Sequence, residues 1–564
     1  MIVSQIPYTR VTFEVFAESF SAFENAVKEA KSAADVLAAR EKFLETYVDF
    51  STAGALANMR FTLNTRDGFY KTEKDYYDEV TPKAGDLYVK YCDYILNSPF
   101  RAELDKALNP NLIKKFEIAK KAHDPANIAD EQQENAIVTE YSGLMSQMLF
   151  DYKGKKVPLT IVRGDLSAKD RDTRRQAMEA IGRGLEANAD KLDEIFDRLV
   201  KIRDRQAKRM GLKNFIELGY YRMNRIDYNR EMVEKFRANV VKDIVPAVAE
   251  MKAKIAERLG IDQMMLYDND VYFATGNARP RPDAKGILQA GLEMYNEMHP
   301  EIGAFMKSML DNEAFDVESR EGKWGGGYCT AFDKYSQPFI LANFNGSSDD
   351  VDVITHEFGH AYAFYHSALK KEYELNVGGM ETAECHSMSM EFLCWKYMDK
   401  FFDLPEDYKY KHICDAFSFI PYGCIVDEFQ HIVYENPELT PAERKSEYNK
   451  LEQKYRPYLS TKGIPYIGQG TRWQYQMHIY ELPFYYIDYC LAQTVALGFL
   501  SESRRNYGKA LETYIAFVKA GGTKAFSQLV KEAGIADPFG EGTLRVLADD
   551  FREIRKEFEG KISE

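Results

Sequence analysis

Apolar residues recur three and four positions apart through most of the chain, the spacing of helices that bury one face. From residue 10 to about 150 this pattern predicts successive amphipathic helices, among them Phe20–Ala39 and Asp86–Leu96. Ser98-Pro99 and Asn109-Pro110-Asn111 separate them. Asp151 to Val162 breaks the rhythm, because Gly154 and Pro158 among β-formers predict a hairpin or loop. Ser167-Ala-Lys-Asp170 fits a capping box that opens a helix over 171–183, and helical spacing continues to Leu259. A boundary near 165 divides an N-terminal helical region, 1–165, from a second region, 166–564.

Asp268 to Ser348 has another texture. Gly276-Asn-Ala-Arg-Pro280-Arg-Pro282, Phe315-Asp-Val-Glu-Ser, Gly325-Gly326-Gly327 and Phe339–Phe344 predict a small sheet with turns, followed by helices from 350 onward. The glycine run lacks the Lys-Ser/Thr of a phosphate loop, so nucleotide binding is not expected. The fold class is mainly α, with a small β-sheet just before the helix that carries the most chemistry.

Length and composition narrow the class. With 564 residues, 45% hydrophobic and 29% charged, the chain can bury a large core and exceeds one ordinary domain. Lys and Arg number 74 against 88 Asp and Glu, a net charge of −14 that argues against a nucleic-acid partner. No run is long and apolar enough to span a bilayer, and the first ten residues do not read as a secretory signal. Seven scattered Cys without a Cys-x-x-Cys pair suit a reducing compartment. A cytoplasmic, soluble protein without a membrane segment is expected.

His356-Glu357-Phe358-Gly359-His360 matches His-Glu-x-x-His, and Ser347 with Asp350 fits a capping box ahead of it. Val351, Ile354, Phe358 and Ala361 make one apolar helical face. Four residues advance about 400°, so His356 and His360 project from nearly one side, as two imidazoles on one Zn²⁺ require. Glu357, beside the first ligand, can reach a metal-bound water as general base. A third protein ligand is needed, and His356, His360, His366 and His386 crowd into 31 residues. His366 would give a metzincin-like spacing, but those enzymes turn the chain at a Gly where this one has Ala363. On a continuing helix His366 lies about 240° around from His360. Glu384 is the better ligand. Asn376-Val-Gly-Gly-Met380 breaks the helix, and Glu381–Leu393 reads as a second one with Glu384 and Glu391 on one face. Glu391 either orients a ligand from behind or is a solvated carboxylate. His386, two residues from Glu384, faces the other way and reads as a structural or surface histidine.

The His356–His360 motif followed by Glu384-Cys-His-Ser-Met-Ser-Met-Glu391 resembles the thimet oligopeptidase family of zinc peptidases, most closely its oligoendopeptidase F branch. Pro338–Gly346 and Arg472–Tyr489 are similar to further segments of that family, so the likeness covers roughly 165–545. One departure is Ala363, where many members carry a His. The resemblance implies His478 and Tyr489 as donors to the oxyanion of peptide hydrolysis, with Tyr485 or Tyr486 as alternatives to Tyr489. It also implies a deep channel that admits unfolded oligopeptides and excludes folded proteins. Tyr328–Asp333 or Phe339–Asn343 could be a sheet edge that binds an extended peptide. The function expected is a zinc-dependent endopeptidase with one Zn²⁺ on His356, His360 and Glu384. Its rivals are a metzincin-like protease using His366 and a catalytically silent, helical peptide-binding protein.

Overall fold

The computed structural model describes residues 1–370, 372–375 and 378–563, and it is mainly α-helical. Long helices open the chain at Phe13–Glu29, Ala33–Leu63 and Gly68–Leu96. The predicted Phe20–Ala39 helix is thus two helices. Ser32 caps the second by accepting from the Asp35 amide, and this cap ends the run that apolar spacing alone would continue. Phe16, Phe20, Phe43, Tyr91 and Phe116 build an N-terminal core to which one distant residue, Leu375, belongs. The Ala33–Leu63 helix serves two cores, giving Phe43, Phe50 and Ala57 to this one and Leu56 and Met59 to the larger core of the remaining chain.

The predicted hairpin is present as β1, Leu149–Tyr152, antiparallel to β2, Lys155–Pro158. Leu159 to Val162, expected in the same hairpin or loop, instead begins a short helix, Leu159–Gly164. The helix foreseen over 171–183 runs Arg171–Glu186, but Asp170 rather than Ser167 caps it, its carboxylate accepting from the Thr173 amide. Helix follows helix to Leu259.

Between 268 and 348 the prediction was incomplete. Ala284–Met298 and Pro300–Asp311 are helices, opened by Asp283 and His299 as caps, and the turn residues on either side obscure their period. The sheet is three-stranded, in the order β3 (Phe315–Glu318), β5 (Gln337–Phe344), β4 (Tyr328–Phe332). β5 runs parallel to β3, with Phe315 opposite Ile340, and antiparallel to β4, with Thr330 opposite Phe339. Six consecutive residues of β5 are buried, as a strand covered on both faces requires. Phe339–Asn343 is therefore the middle of the sheet and not an edge; β4 is an edge.

Two helices follow the sheet and carry the candidate chemistry: the motif helix, Asp349–Ala368, and the carboxylate helix, Met380–Leu393. Asn376 and Val377 of the expected break lie outside the described residues, while Gly378 and Gly379 are non-helical as expected. Behind them stand the long buried helix Pro405–Glu435 and the helix Tyr486–Arg505.

Candidate active site

The motif helix starts differently from the predicted capping box. Asp350 accepts from the amides of Asn345 and Gly346, holding the loop that leads in from β5, whereas the Ser347 hydroxyl makes no bond. Val351, Ile354, Phe358 and Ala361 are buried on one face. This leaves His356, Glu357 and His360 on the half-open side.

The motif and carboxylate helices cross at very close range because of Gly359. A Cβ there would lie 2.6 Å from the Ser387 Cα and 2.7 Å from the His386 carbonyl oxygen. That approach puts Glu384 Oε2 3.3 Å from His356 Nε2 and 3.6 Å from His360 Nε2. Among the described residues, His356, His360 and Glu384 are the one group whose ligand atoms converge enough to hold a metal ion.

Two of the three members, His356 and Glu384, are fixed from behind. His356 Nδ1 lies 2.6 Å from Glu391 Oε1, and His412 Nε2 lies 2.7 Å from Glu391 Oε2. Trp395 Nε1, which can only donate, bonds His412 Nδ1 at 2.8 Å, so the His412 proton sits on Nε2 and points at Glu391. Burial raises the Glu391 pKa, but the bonds from His356 and His412 win and bring it down to about 2. Of the two readings of Glu391, the geometry matches the one that orients His356. An anionic Glu391 holds a proton on His356 Nδ1 and leaves Nε2 facing Glu384 and His360. Glu384 Oε1 accepts from the Tyr485 hydroxyl at 2.8 Å, and Oε2 accepts from Ser387 at 3.2 Å.

The electrostatics favour a cation at the convergence point. Burial disfavours charge on His356, yet Glu384 and Glu391 outweigh it and hold the imidazolium well above its ordinary range. Glu384 is likewise buried, and the neighbouring His360 and His356 push its pKa well down.

Glu357 is half-buried and makes no hydrogen bond or ion pair among the described residues. Its charge is felt by Cys329 on β4, whose thiol is pushed up first by burial and then by Glu357. The edge strand β4 therefore runs beside Glu357.

His478, on the short helix Met477–Glu481, completes the wall. Tyr422 donates to Gln476 Oε1 at 2.6 Å, which turns the Gln476 amide nitrogen to His478 Nδ1 at 2.9 Å. Nδ1 then accepts, and Nε2 carries the proton. Burial lowers the His478 pKa to about 4, against a weaker pull from Glu384, so the ring is neutral near pH 7. Phe484, at φ 69°, makes the turn between this helix and Tyr486–Arg505; a bulky residue rarely adopts that conformation. The turn is secured by Gln430, which accepts from the Phe484 amide.

The three candidate tyrosines part company here. Tyr485 is committed to Glu384. Tyr486 packs its ring near Phe419 and Tyr422. Tyr489, whose ring lies 4.7 Å from that of Tyr485, meets the Tyr485 hydroxyl rather than a ligand carboxylate, and burial, then Glu384 and more weakly Glu357, raise its pKa. His366 is not brought to the set: its Nε2 lies 3.0 Å from Glu301 on the far side of the helix. His386 is fully buried, its ring against Phe517, and neither ring nitrogen is hydrogen-bonded. Sequence reading missed His412 and Tyr422, which act across fold contacts that no local pattern marks, and Gln476 and Ser387, which sit two and three residues from the side chains they bond.

A helix-borne pair of histidines, a crossing carboxylate and a free glutamate, set in a mainly α-helical fold, define a peptidase. The chain belongs to peptidase family M3: the sequence model of that family matches residues 166–549, and the M3 N-terminal domain matches residues 3–123. Oligopeptidase PepF of Bacillus subtilis is 23% identical over 526 residues, spanning 85% of this chain and 74% of the relative. The plasmid-encoded oligoendopeptidase F of Lactococcus lactis subsp. cremoris is 22% identical, over 89% and 86% of the two chains. Among solved structures, PZ peptidase A with an inhibitor is 39% identical and superposes with a TM-score of 0.95, over 99% of this chain and all of that one. No described helix is long and apolar enough to cross a membrane.

Proposed function

We propose that this chain is a zinc endopeptidase that hydrolyses internal bonds of short, unfolded oligopeptides. One observation carries the reading: a convergent His356–His360–Glu384 set stands beside a Glu357 carboxylate that nothing else engages. The donors suit the ion. Ligand bonds of about 2.1 Å in a tetrahedral site place ligand atoms roughly 3.4 Å apart. The two measured edges, 3.3 and 3.6 Å, bracket that value. Two imidazoles and a carboxylate, without a thiolate, leave a coordination position open for substrate or water.

Bound there, Zn²⁺ would supply Lewis acidity to the scissile carbonyl and to a water molecule. Glu357 takes the proton of the attacking water as its oxygen bonds to the carbonyl carbon. It then delivers that proton to the amine nitrogen as the C–N bond breaks. His478 Nε2–H and the Tyr489 hydroxyl donate to the oxyanion. Tyr485 and Ser387 hold Glu384, and Glu391 with His412 holds His356.

The edge of β4 pairs with an extended peptide, which would explain affinity for backbone rather than for one sequence. Residues 1–165 form a helical region and 166–564 the catalytic region, with a channel between them that excludes folded proteins. The seven cysteines are all free, six of them buried, which suits the cytoplasm.

The test is cleavage of a short quenched peptide beside a folded protein, each with and without chelator, with mass spectrometry of the products. Internal cleavage of the peptide alone, lost with chelator and restored by zinc, is expected. Cleavage only from one end, or none with zinc bound, would overturn the reading in favour of an exopeptidase or a silent binder.

A further inference from the structure

A cavity of about 360 Å³ opens beside the candidate catalytic residues, sharing Glu391, His478 and Tyr489 with them. Its remaining walls have two characters. Met388, Ala416, Phe419 and Tyr486 are apolar or aromatic, whereas Asp352, Asp415 and Gln493 are polar. No Lys or Arg lines it.

The polar lining is short of positive charge. Glu391 is satisfied by two histidines. Among the described residues the one cation in ion-pair range of Asp352 and Asp415 is Lys411, whose Nζ lies 3.8 Å from Asp352, 3.0 Å from Asp415 and 3.5 Å from a third carboxylate, Asp349, while His412 in the cavity wall and Lys252 add positive charge only at longer range. Tyr408 and Tyr272 each donate one hydroxyl to Asp352 and Asp415 respectively, without adding charge. Asp415 keeps 37% of its side chain exposed.

Gln493 is a second, independent sign. It is 7% exposed, it lines the cavity, and its amide makes no hydrogen bond among the described residues. The amide therefore faces the cavity with hydrogen-bonding capacity that a polar atom of a ligand can meet.

We propose that this cavity receives a lysine or arginine side chain of the peptide, next to the bond being cut. This rests on the peptidase reading above and adds the substrate class. The aliphatic stem lies along Met388 and the ring faces of Phe419 and Tyr486, which also attract a cation. The head group donates to Asp415 and to the carbonyl oxygen of Gln493. An acidic side chain in the same place would face the two aspartates without a counter-ion.

The experiment uses the zinc-loaded full chain and a peptide set in which each position around the scissile bond carries Arg, Lys, norleucine or Glu in turn. At one position, kcat/KM for Arg or Lys should exceed norleucine by on the order of tenfold, the scale of a partly desolvated charge pair, with Glu the poorest. D415N should bring the Arg-to-norleucine ratio close to one, and D415K should turn the preference toward Glu. Q493L should reduce the Arg ratio in part. A uniform loss over all peptides in these variants, or wild-type cleavage with no positional preference, would overturn the pocket and leave the peptidase reading standing. No cleavage of any peptide would overturn both.

Discussion

Gly359 touches the backbone of Ser387: a Cβ on the glycine would come within 2.6 Å of the Ser387 Cα. The motif helix and the carboxylate helix can cross this closely only because one residue between the two histidines has no side chain. Gly359→Ala must push the helices apart or strain them, at a cost of about 1–3 kcal/mol for an overpacked core site. We expect a lower melting temperature and a large loss of bound zinc, measured by calorimetry and metal analysis. Full zinc content in a stable G359A chain would refute the link between crossing and ligand geometry.

Glu357 has no hydrogen-bond or ion-pair partner to lose among the described residues. Glu357→Gln should keep the fold and the metal while turnover falls by on the order of 10²–10⁴, the range of a general base. Near-normal kcat would remove Glu357 as the base.

Glu384 and His366 make opposite predictions for metal content. Glu384→Ala removes an oxygen that stands between both histidines, so zinc should be lost on dialysis. His366→Ala disturbs only a contact with Glu301 and should retain it. The reverse pattern would restore the metzincin-like alternative.

Tyr485 and Tyr489 separate holding from donating. Tyr485→Phe deletes the bond to Glu384 Oε1 and should weaken metal retention first. Tyr489→Phe should leave metal content unchanged and lower kcat by about 10²–10³, as loss of one oxyanion donor does. Equal effects of both variants on zinc content would count against the assignment.

His478 sets a pH dependence of stability. Its pKa in the folded chain is about 4, below the ordinary 6.5, so the unfolded chain binds more protons between those values. The stabilisation is present above about 6.5 and is lost as pH falls toward 4. Thermal melts of the metal-free chain across that window should show the slope, and His478→Gln should flatten part of it. An unchanged slope in the variant would assign the effect elsewhere.

The candidate residues that the structure brings together were legible by type and spacing: the motif, Glu384 at its distance downstream, and the helix that carries it. Their supports were not. Gln476 sits two residues from His478 yet gains its meaning from Tyr422, 54 residues away, which fixes its amide. Glu391 was readable as sharing a face with Glu384, but His412 and Trp395 make it an anion held in one orientation. In the fold, helix content followed from period, while errors gathered where two signals competed. Ser32 interrupts an otherwise continuous apolar stripe, and Asp283 and His299 open helices inside a stretch dominated by turn residues.

Leu375 belongs to the N-terminal core although it lies between the motif and carboxylate helices in the chain. Its neighbour Glu374 accepts from Arg40 at 2.6 Å and from Tyr91 at 2.7 Å, both far upstream and all buried. Removing one partner of such a buried pair is strongly destabilising, so the connection resists being pulled out. The segment between the motif and carboxylate helices is thereby moored to the N-terminal core.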